Sequence, residues 1–242
     1  MSAANRRHQA REWLLAPADA AQPCVKLCGM FAEEDIRAVA LARPDMCGFI
    51  VNFPKSHRNV SPQRLHQLCS LLDEADAQSA AALVSAKAPA SVHPIWRVGV
   101  FVDEPIDSLI RIVSEGSLDL VQLHGSESNA YIVELRERTK VGTIQAFRIR
   151  SDEDVVRAES SAADMVLLDN GQGTGESFDW NCVSRMHRPF ILAGGLNPKN
   201  VAQALSEVRP WGVDMSSGIE TDKRKDAAKI ASAVQEVRRW RA

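Results

Sequence analysis

The feature that most constrains this chain is a regular alternation of short apolar, β-rich runs with segments of helical period. Strands are expected near Val25–Leu27, Gly48–Phe53, Val98–Val102, Leu120–Leu123, Thr143–Arg148, Met165–Asp169, Ile191–Ala193 and Val213–Met215. Several are continuous apolar runs, as strands covered on both faces require. Between them lie amphipathic segments at Glu33–Leu41, Pro62–Ala75, Ile106–Glu115, Tyr131–Glu137, Asp154–Ser160, Val201–Val208 and, after the last strand, Asp226–Arg239. The helix after the sixth strand, following Phe178, has the weakest pattern. Eight strands in strict alternation with helices predict an α/β chain of one domain, a (β/α)8 TIM barrel. An open doubly wound sheet is the rival, but it has fewer strands as a rule, and no G-x-G-x-x-G follows the first strand. A length of 242 residues suits one such barrel. The barrel is expected over 23–242, with 1–22 as an N-terminal extension, a flexible tail or an added helix. The Ala/Ser-rich stretch Gln78–Ser91 is expected as a loose insertion between the second and third strands.

Composition narrows the partners. The formal net charge is −2, so no global basic surplus exists to hold a nucleic-acid backbone, and any anion needs a local site. No apolar run approaches the ~20 residues of a membrane span. The five cysteines, Cys24, Cys28, Cys47, Cys69 and Cys182, are odd in number and lack metal-knuckle spacing. With no secretory signal core in "EWLLA", reduced thiols and a cytoplasmic location are expected. A transit peptide is the weaker reading of 1–22, because Glu12 and Asp19 fit it poorly.

Catalytic groups of such barrels sit at the C-terminal ends of the strands. The strand ends here read Lys26-Leu27-Cys28-Gly29, Pro54-Lys55-Ser56-His57-Arg58, Gln122-Leu123-His124-Gly125, Asp169-Asn170 with Gly171–Gly175, Ala193-Gly194-Gly195-Leu196-Asn197 and Asp214-Met215-Ser216-Ser217-Gly218. Ionisable or Gly-rich groups thus recur in register. Gly194 and Gly195, followed one strand later by Ser216, Ser217 and Gly218, suit a phosphate site made of backbone N–H groups. Either motif alone would read as an ordinary turn. Cys28 could be a base or nucleophile, although an isolated cysteine after a buried strand is more often inert. Asp169 closes a run of four apolar residues, whose surroundings could raise its pKa and keep it protonated as a general acid. Capping is its plainer role. Arg58 could grip a carboxylate bidentately or be a solvated loop charge. His124 shares no ligand pattern that would suggest a metal. Asp214 could touch a substrate or cap the Ser-Ser-Gly turn. Lys26 shares a strand face with Cys28, and it could lower the thiol's pKa or reach toward substrate.

With these residues in view, the chain resembles the phosphoribosylanthranilate isomerase family across nearly all of 24–230. The resemblance rests on Val-Lys-Leu-Cys-Gly at 25–29, Gly-Phe-Ile-Val at 48–51, Pro-Lys-Ser-His-Arg-Asn-Val-Ser-Pro at 54–62, Val-Gly-Val-Phe-Val at 98–102 and Val-Gln-Leu-His-Gly at 121–125. Leu-Leu-Asp-Asn-Gly-Gln-Gly-Thr-Gly at 167–175, Phe-Asp-Trp at 178–180, Leu-Ala-Gly-Gly-Leu-Asn at 192–197 and Val-Asp-Met-Ser-Ser-Gly-Ile-Glu at 213–220 complete it. The resemblance implies Cys28 as general base, Asp169 as general acid, and Arg58 holding an anthranilate carboxylate. It puts His124 and Asp214 in the active site and Gly194, Gly195, Ser216, Ser217 and Gly218 in the phosphate loops.

The implied reaction is an Amadori rearrangement of a phosphorylated aminoaldose in tryptophan biosynthesis, with no metal or redox cofactor. Positive charge near Cys28, such as a transient imine, is expected to favour its thiolate. The implied partner is a small phosphorylated substrate, with no nucleic acid or membrane, and the chain would be a monomer or homodimer. Two departures stand out. The loop at 171–175 is one residue shorter than the family's usual form. The segment Thr221–Asp226 lacks the glycine that often precedes the last helix. A related barrel acting on a histidine-pathway aminoaldose is one rival, but it would carry an aspartate where Cys28 stands. A non-catalytic metabolite-binding barrel is the other.

Overall fold

The computed structural model describes residues 2–16, 22–85, 93–169 and 183–241. Eight parallel strands form the barrel: β1 (Cys24–Cys28), β2 (Met46–Val51), β3 (Trp96–Phe101), β4 (Leu120–Leu123), β5 (Gly142–Arg148), β6 (Met165–Asp169), β7 (Phe190–Leu192) and β8 (Gly212–Met215). Each pairs with its neighbours in sequence, and β1 pairs with both β2 and β8, which closes the sheet. Closure leaves no edge strand to be satisfied elsewhere. The expected strands are all present, displaced by no more than two residues at their ends.

The helices are α1 (Ala3–Leu15), α2 (Glu33–Ala42), α3 (Pro62–Ser85), α4 (Ile106–Ser114), α5 (Asn129–Thr139), α6 (Asp152–Glu159), α7 (Val201–Val208) and α8 (Ala227–Arg239). Their starts are set by side chains that satisfy free N–H groups. The Asp35 carboxylate accepts from Phe31 N and Ala32 N at the head of α2. Ser128 Oγ accepts from Tyr131 N at α5, and Asp226 Oδ1 accepts from Ala228 N and Lys229 N at α8. After β6, the described residues hold only a 3-10 turn, Val183–Arg185, where the sequence pattern was weakest. No helix among the described residues is long and apolar enough to cross a membrane.

Two segments differ from expectation. Gln78–Ser85, expected to be loose, continues α3. Its alanines favour helix strongly enough to extend the element without a strong apolar stripe; residues 86–92 lie outside the described ones. Of the two forms expected within 1–22, Ala3–Leu15 takes the added helix. It lies against the N-terminal end of the barrel, where Ala10 and Leu14 are fully buried among Met46, Trp96, Leu120, Ile144 and Trp211. Arg6 pairs with Asp119 at 2.9 Å, Arg11 with Asp164 at 2.8 Å, and Trp13 packs edge-on to Trp211. The main core lies between the strands' outer faces and the helices, and includes Leu27, Phe49, Leu68, Val121, Leu168, Leu205 and Ile230.

Candidate active site

At the opposite, C-terminal end a cavity of about 290 Å³ opens. Cys28, Arg58, Gln122, His124, Asp169 and Asp214 line it, together with Gly194, Gly195, Ser216 and Ser217. It adjoins a second hollow of about 520 Å³ toward β4–β6, with His124 and Asp169 on the shared wall. Nine of the ten residues expected to form the site therefore converge. The tenth, Gly218, is not part of the lining; a side chain there would run into the carbonyl of Leu196. Its small size lets the loops after β7 and β8 pack directly against each other.

Strand register brings the first cluster together. Lys26 on β1 lies directly across from Asp214 on β8, and Lys26 Nζ donates to Asp214 Oδ1 at 3.0 Å. The Lys26 side chain is fully buried and within hydrogen-bonding reach of the Cys28 thiol two residues on. Burial alone would lower the Lys26 pKa; the Asp214 carboxylate outweighs it and drives it up. Burial pushes the Cys28 thiol up; Lys26 pulls it back, while Asp214 adds to the rise, and the net shift is upward. In the resting site one ammonium, already shared with a carboxylate, does not offset desolvation. Gly48 of β2 faces this cluster, and a Cβ there would lie 2.8 Å from Cys28 Sγ and 3.2 Å from Lys26 Nζ.

A second cluster was invisible in the sequence. The loop after β2 turns back on itself, with Asn52 N donating to Val60 O and Phe53 N to Asn59 Oδ1. Asn59–Val60 then pairs in parallel with Ile50–Val51. This return carries Arg58 to the rim, where its Nε and Nη2 donate to the two Glu220 oxygens at 2.5 and 2.7 Å. Glu220 also pairs with Lys225 at 2.8 Å. Lys225 Nζ further donates to Cys28 O and Ser216 O, at 2.7 and 3.0 Å. Burial would raise the Glu220 carboxyl; Arg58 and Lys225 outweigh it and hold it at about 2. Burial lowers the Lys225 pKa, with Glu220 opposing. Glu220 and Lys225 belong to an antiparallel hairpin whose turn residues, Asp222 and Lys223, have φ of 51° and 62°. The missing glycine is therefore missing at a left-handed turn.

Gly194 and Gly195 have φ of 95° and 67°, a region that side-chain-bearing residues rarely occupy. Asn197 and Asn200 both donate to Gly195 O, at 3.2 and 3.1 Å, and so fix this turn. His124 stands at the rim beyond β4, accessible at the cavity mouth but crowded by protein, and that crowding lowers its pKa. Its Nδ1 is 3.0 Å from Gln122 Nε2. Asp169 is half-buried at the end of β6. The Gly171–Gly175 loop lies outside the described residues.

Fold and cavity together define the class: a (β/α)8-barrel enzyme with an ionisable C-terminal rim and glycine turns after its last two strands. The model of the N-(5'-phosphoribosyl)anthranilate isomerase family matches residues 69–236. The isomerase of Endomicrobium trichonymphae is 35% identical over 221 residues, covering 89% of this chain and 98% of the relative. That of Acetivibrio thermocellus is 37% identical over 229 residues, covering 89% and 95%. A crystal structure of phosphoribosyl anthranilate isomerase with reduced 1-(o-carboxyphenylamino)-1-deoxyribulose 5-phosphate is also similar. Its TM-score is 0.69 and its identity 30%, over 89% of this chain and 98% of that one. The chain belongs to the N-(5'-phosphoribosyl)anthranilate isomerase family, and is an isomerase of tryptophan biosynthesis.

Proposed function

We propose that the chain converts N-(5'-phosphoribosyl)anthranilate to 1-(2-carboxyphenylamino)-1-deoxyribulose 5-phosphate by an Amadori rearrangement, with Asp169 as acid and Cys28 as base. The observation that carries this reading is that a buried thiol and a strand-end carboxyl line one cavity with a pair of left-handed glycines. Asp169 gives a proton to the ribose ring oxygen. The C1–O bond breaks and the nitrogen lone pair forms an iminium. As the iminium forms, the Cys28 thiol releases its proton to solvent; the thiolate then takes the C2 proton, and the C–H electron pair moves through the new C1–C2 double bond to nitrogen. The resulting enolamine gains a proton at C1 and loses one from the C2 hydroxyl, giving the aminoketose. The substrate's own nitrogen is the electron sink.

The raised thiol pKa supports a base that acts only once positive charge has formed on the substrate. Lys26, held by Asp214, is the fixed part of that positive field. Arg58 and Lys225 bring two positive charges to the single charge of Glu220, a surplus of one that suits the anthranilate carboxylate. Arg58 would receive it on the edge that Glu220 leaves open. The phosphate is taken by the turns of Gly194, Gly195, Ser216, Ser217 and Gly218, and His124 touches the sugar from the β4 side. The chain acts in the cytoplasm, as a monomer or a homodimer; a dimeric isomerase from Thermotoga maritima is among its solved relatives.

The test is a steady-state assay of freshly made phosphoribosylanthranilate, followed by the loss of its anthranilate fluorescence. Turnover is expected; none at any substrate concentration would end this reading. Arg58→Ala should cost ~2 kcal/mol or more of substrate binding, and an unchanged KM would remove Arg58 from carboxylate recognition.

A further inference from the structure

Gln122 is 1% exposed, yet it lines the cavity beside Cys28, Asp169 and His124. It sits on β4 between Val100 of β3 and Ile144 of β5, two residues before His124 and so on the same strand face. Its two amide atoms have different fates. Nε2 is 3.0 Å from His124 Nδ1, whereas Oε1 is buried without a hydrogen-bond partner among the described residues. A buried carbonyl of this kind is costly to leave unpaired and is uncommon in folded chains. Gln122 belongs to the cavity lining, and a ligand that brings a donor to this acceptor would satisfy it.

The other end of the amide constrains the imidazole. An amide nitrogen can only donate, so Nδ1 of His124 must accept, and the ring proton of neutral His124 then sits on Nε2. The charged groups acting on the ring are Asp169, Lys26, Asp214 and Glu127; burial, joined by Lys26, outweighs the three carboxylates and lowers the imidazole pKa. Glu127 is itself spent on the backbone, accepting from Asp103 N and Gly125 N at 2.8 and 2.9 Å.

We propose that Gln122 is a substrate-contacting residue: its Oε1 accepts a hydrogen bond from a hydroxyl or N–H of the bound aminoaldose, while its Nε2 holds His124 with the proton on Nε2. This rests on the cavity being an aminoaldose site. One residue thereby presents an acceptor and, through His124, a donor from the same strand face. A polyol bound there meets two partners of opposite sense, which fixes how its hydroxyls point.

Nitrogen-15 NMR of the wild-type enzyme, with the His124 signals assigned against a His124→Ala spectrum, should report the Nε2–H tautomer. Gln122→Glu removes the amide donor and puts an acceptor beside Nδ1, so the tautomer should switch to Nδ1–H. A merely structural role for Gln122 would not produce that switch. Gln122→Met, similar in size but without either polar atom, should lower kcat/KM for phosphoribosylanthranilate by roughly 10-fold or more, the scale of one lost hydrogen bond. Affinity for inorganic phosphate should persist, since the glycine turns lie across the cavity. An Nδ1–H tautomer in the wild type, or a Gln122→Met enzyme with wild-type kcat/KM, would overturn the proposal. The tautomer measurement needs no variant of Gln122, so a poorly folding Gln122→Met still leaves a decision. A wild type without turnover would instead strike at the aminoaldose reading itself.

Discussion

At the N-terminal end of the barrel, Asp119 is fully buried and accepts from Arg6 Nε, Arg97 N, Arg97 Nε and Arg97 Nη2. Asp164 is filled in the same way by Arg11 and by Thr143, and Asp45 by Val25 N, His93 and Arg238. At the C-terminal end the charges are as numerous but differently spent. Lys26 is shared between Asp214 and a thiol, Arg58 offers Glu220 one edge of its guanidinium, and Gln122 keeps an oxygen unpaired among the described residues. The same eight strands thus end in saturated pairs on one side and in open valences on the other. Saturated pairs hold structure in place; open valences can be completed by a ligand.

The contrast can be broken hardest at the rim. Cys28→Ala and Asp169→Asn should each lower kcat by ~10²–10⁴-fold while the cooperative unfolding transition remains. In the wild type, kcat/KM should still be rising with pH at 9.0, the ordinary thiol value, because the Cys28 pKa lies above it. A plateau reached well below that pH would mean that a different group is the base.

At the base the effect should fall on stability instead. Asp119→Ala leaves the buried Arg97 and the half-buried Arg6 with Asp73 as their one carboxylate partner and should cost ~3 kcal/mol by denaturant unfolding, with kcat of the folded enzyme unchanged. A loss of kcat there would blur the division between the two ends.

Glu220 tests whether a rim charge also holds the fold. Its folded pKa of about 2 lies below the ordinary carboxyl value of 4.5. Its ionised form therefore adds stability that is fully present above pH 4.5 and lost as pH falls toward 2. The stability gap between wild type and Glu220→Gln should shrink across that window; a constant gap would refute the pairing. The smallest effect is expected at the hairpin turn, where Lys223 has φ of 62°. Lys223→Gly should stabilise by about 0.5–1 kcal/mol, since glycine escapes most of the left-handed penalty. A loss of stability would mean that the Lys223 side chain contributes more than its backbone costs.

How far the sequence could be read follows from locality. The strands were legible because apolar runs such as Val166–Leu168 and Leu120–Val121 are buried in the barrel. Most rim residues were legible because strand ends define the rim. The docking of α1 was not, since only Ala10 and Leu14 of its 13 residues are buried and arginines do much of the anchoring. The Arg58–Glu220 pair joins residues 162 apart, and no local pattern marks it. Gln122 did carry a signal: a glutamine inside a buried strand, in step with the histidine that follows it. The upward push on the Cys28 thiol was not legible, because burial, which opposes ionisation, shows only in three dimensions.

The position of α1 also bears on how the molecule is made. Its anchor Asp164 lies 153 residues beyond Arg11, and Trp211 arrives later still. The segment leaves the ribosome before the barrel yet can dock only after most of it has been synthesised. Until then its apolar face has nothing to rest on. The first helix in chain order is thus among the last pieces to settle, and a fusion partner attached ahead of it would be felt during biogenesis before it was felt in catalysis.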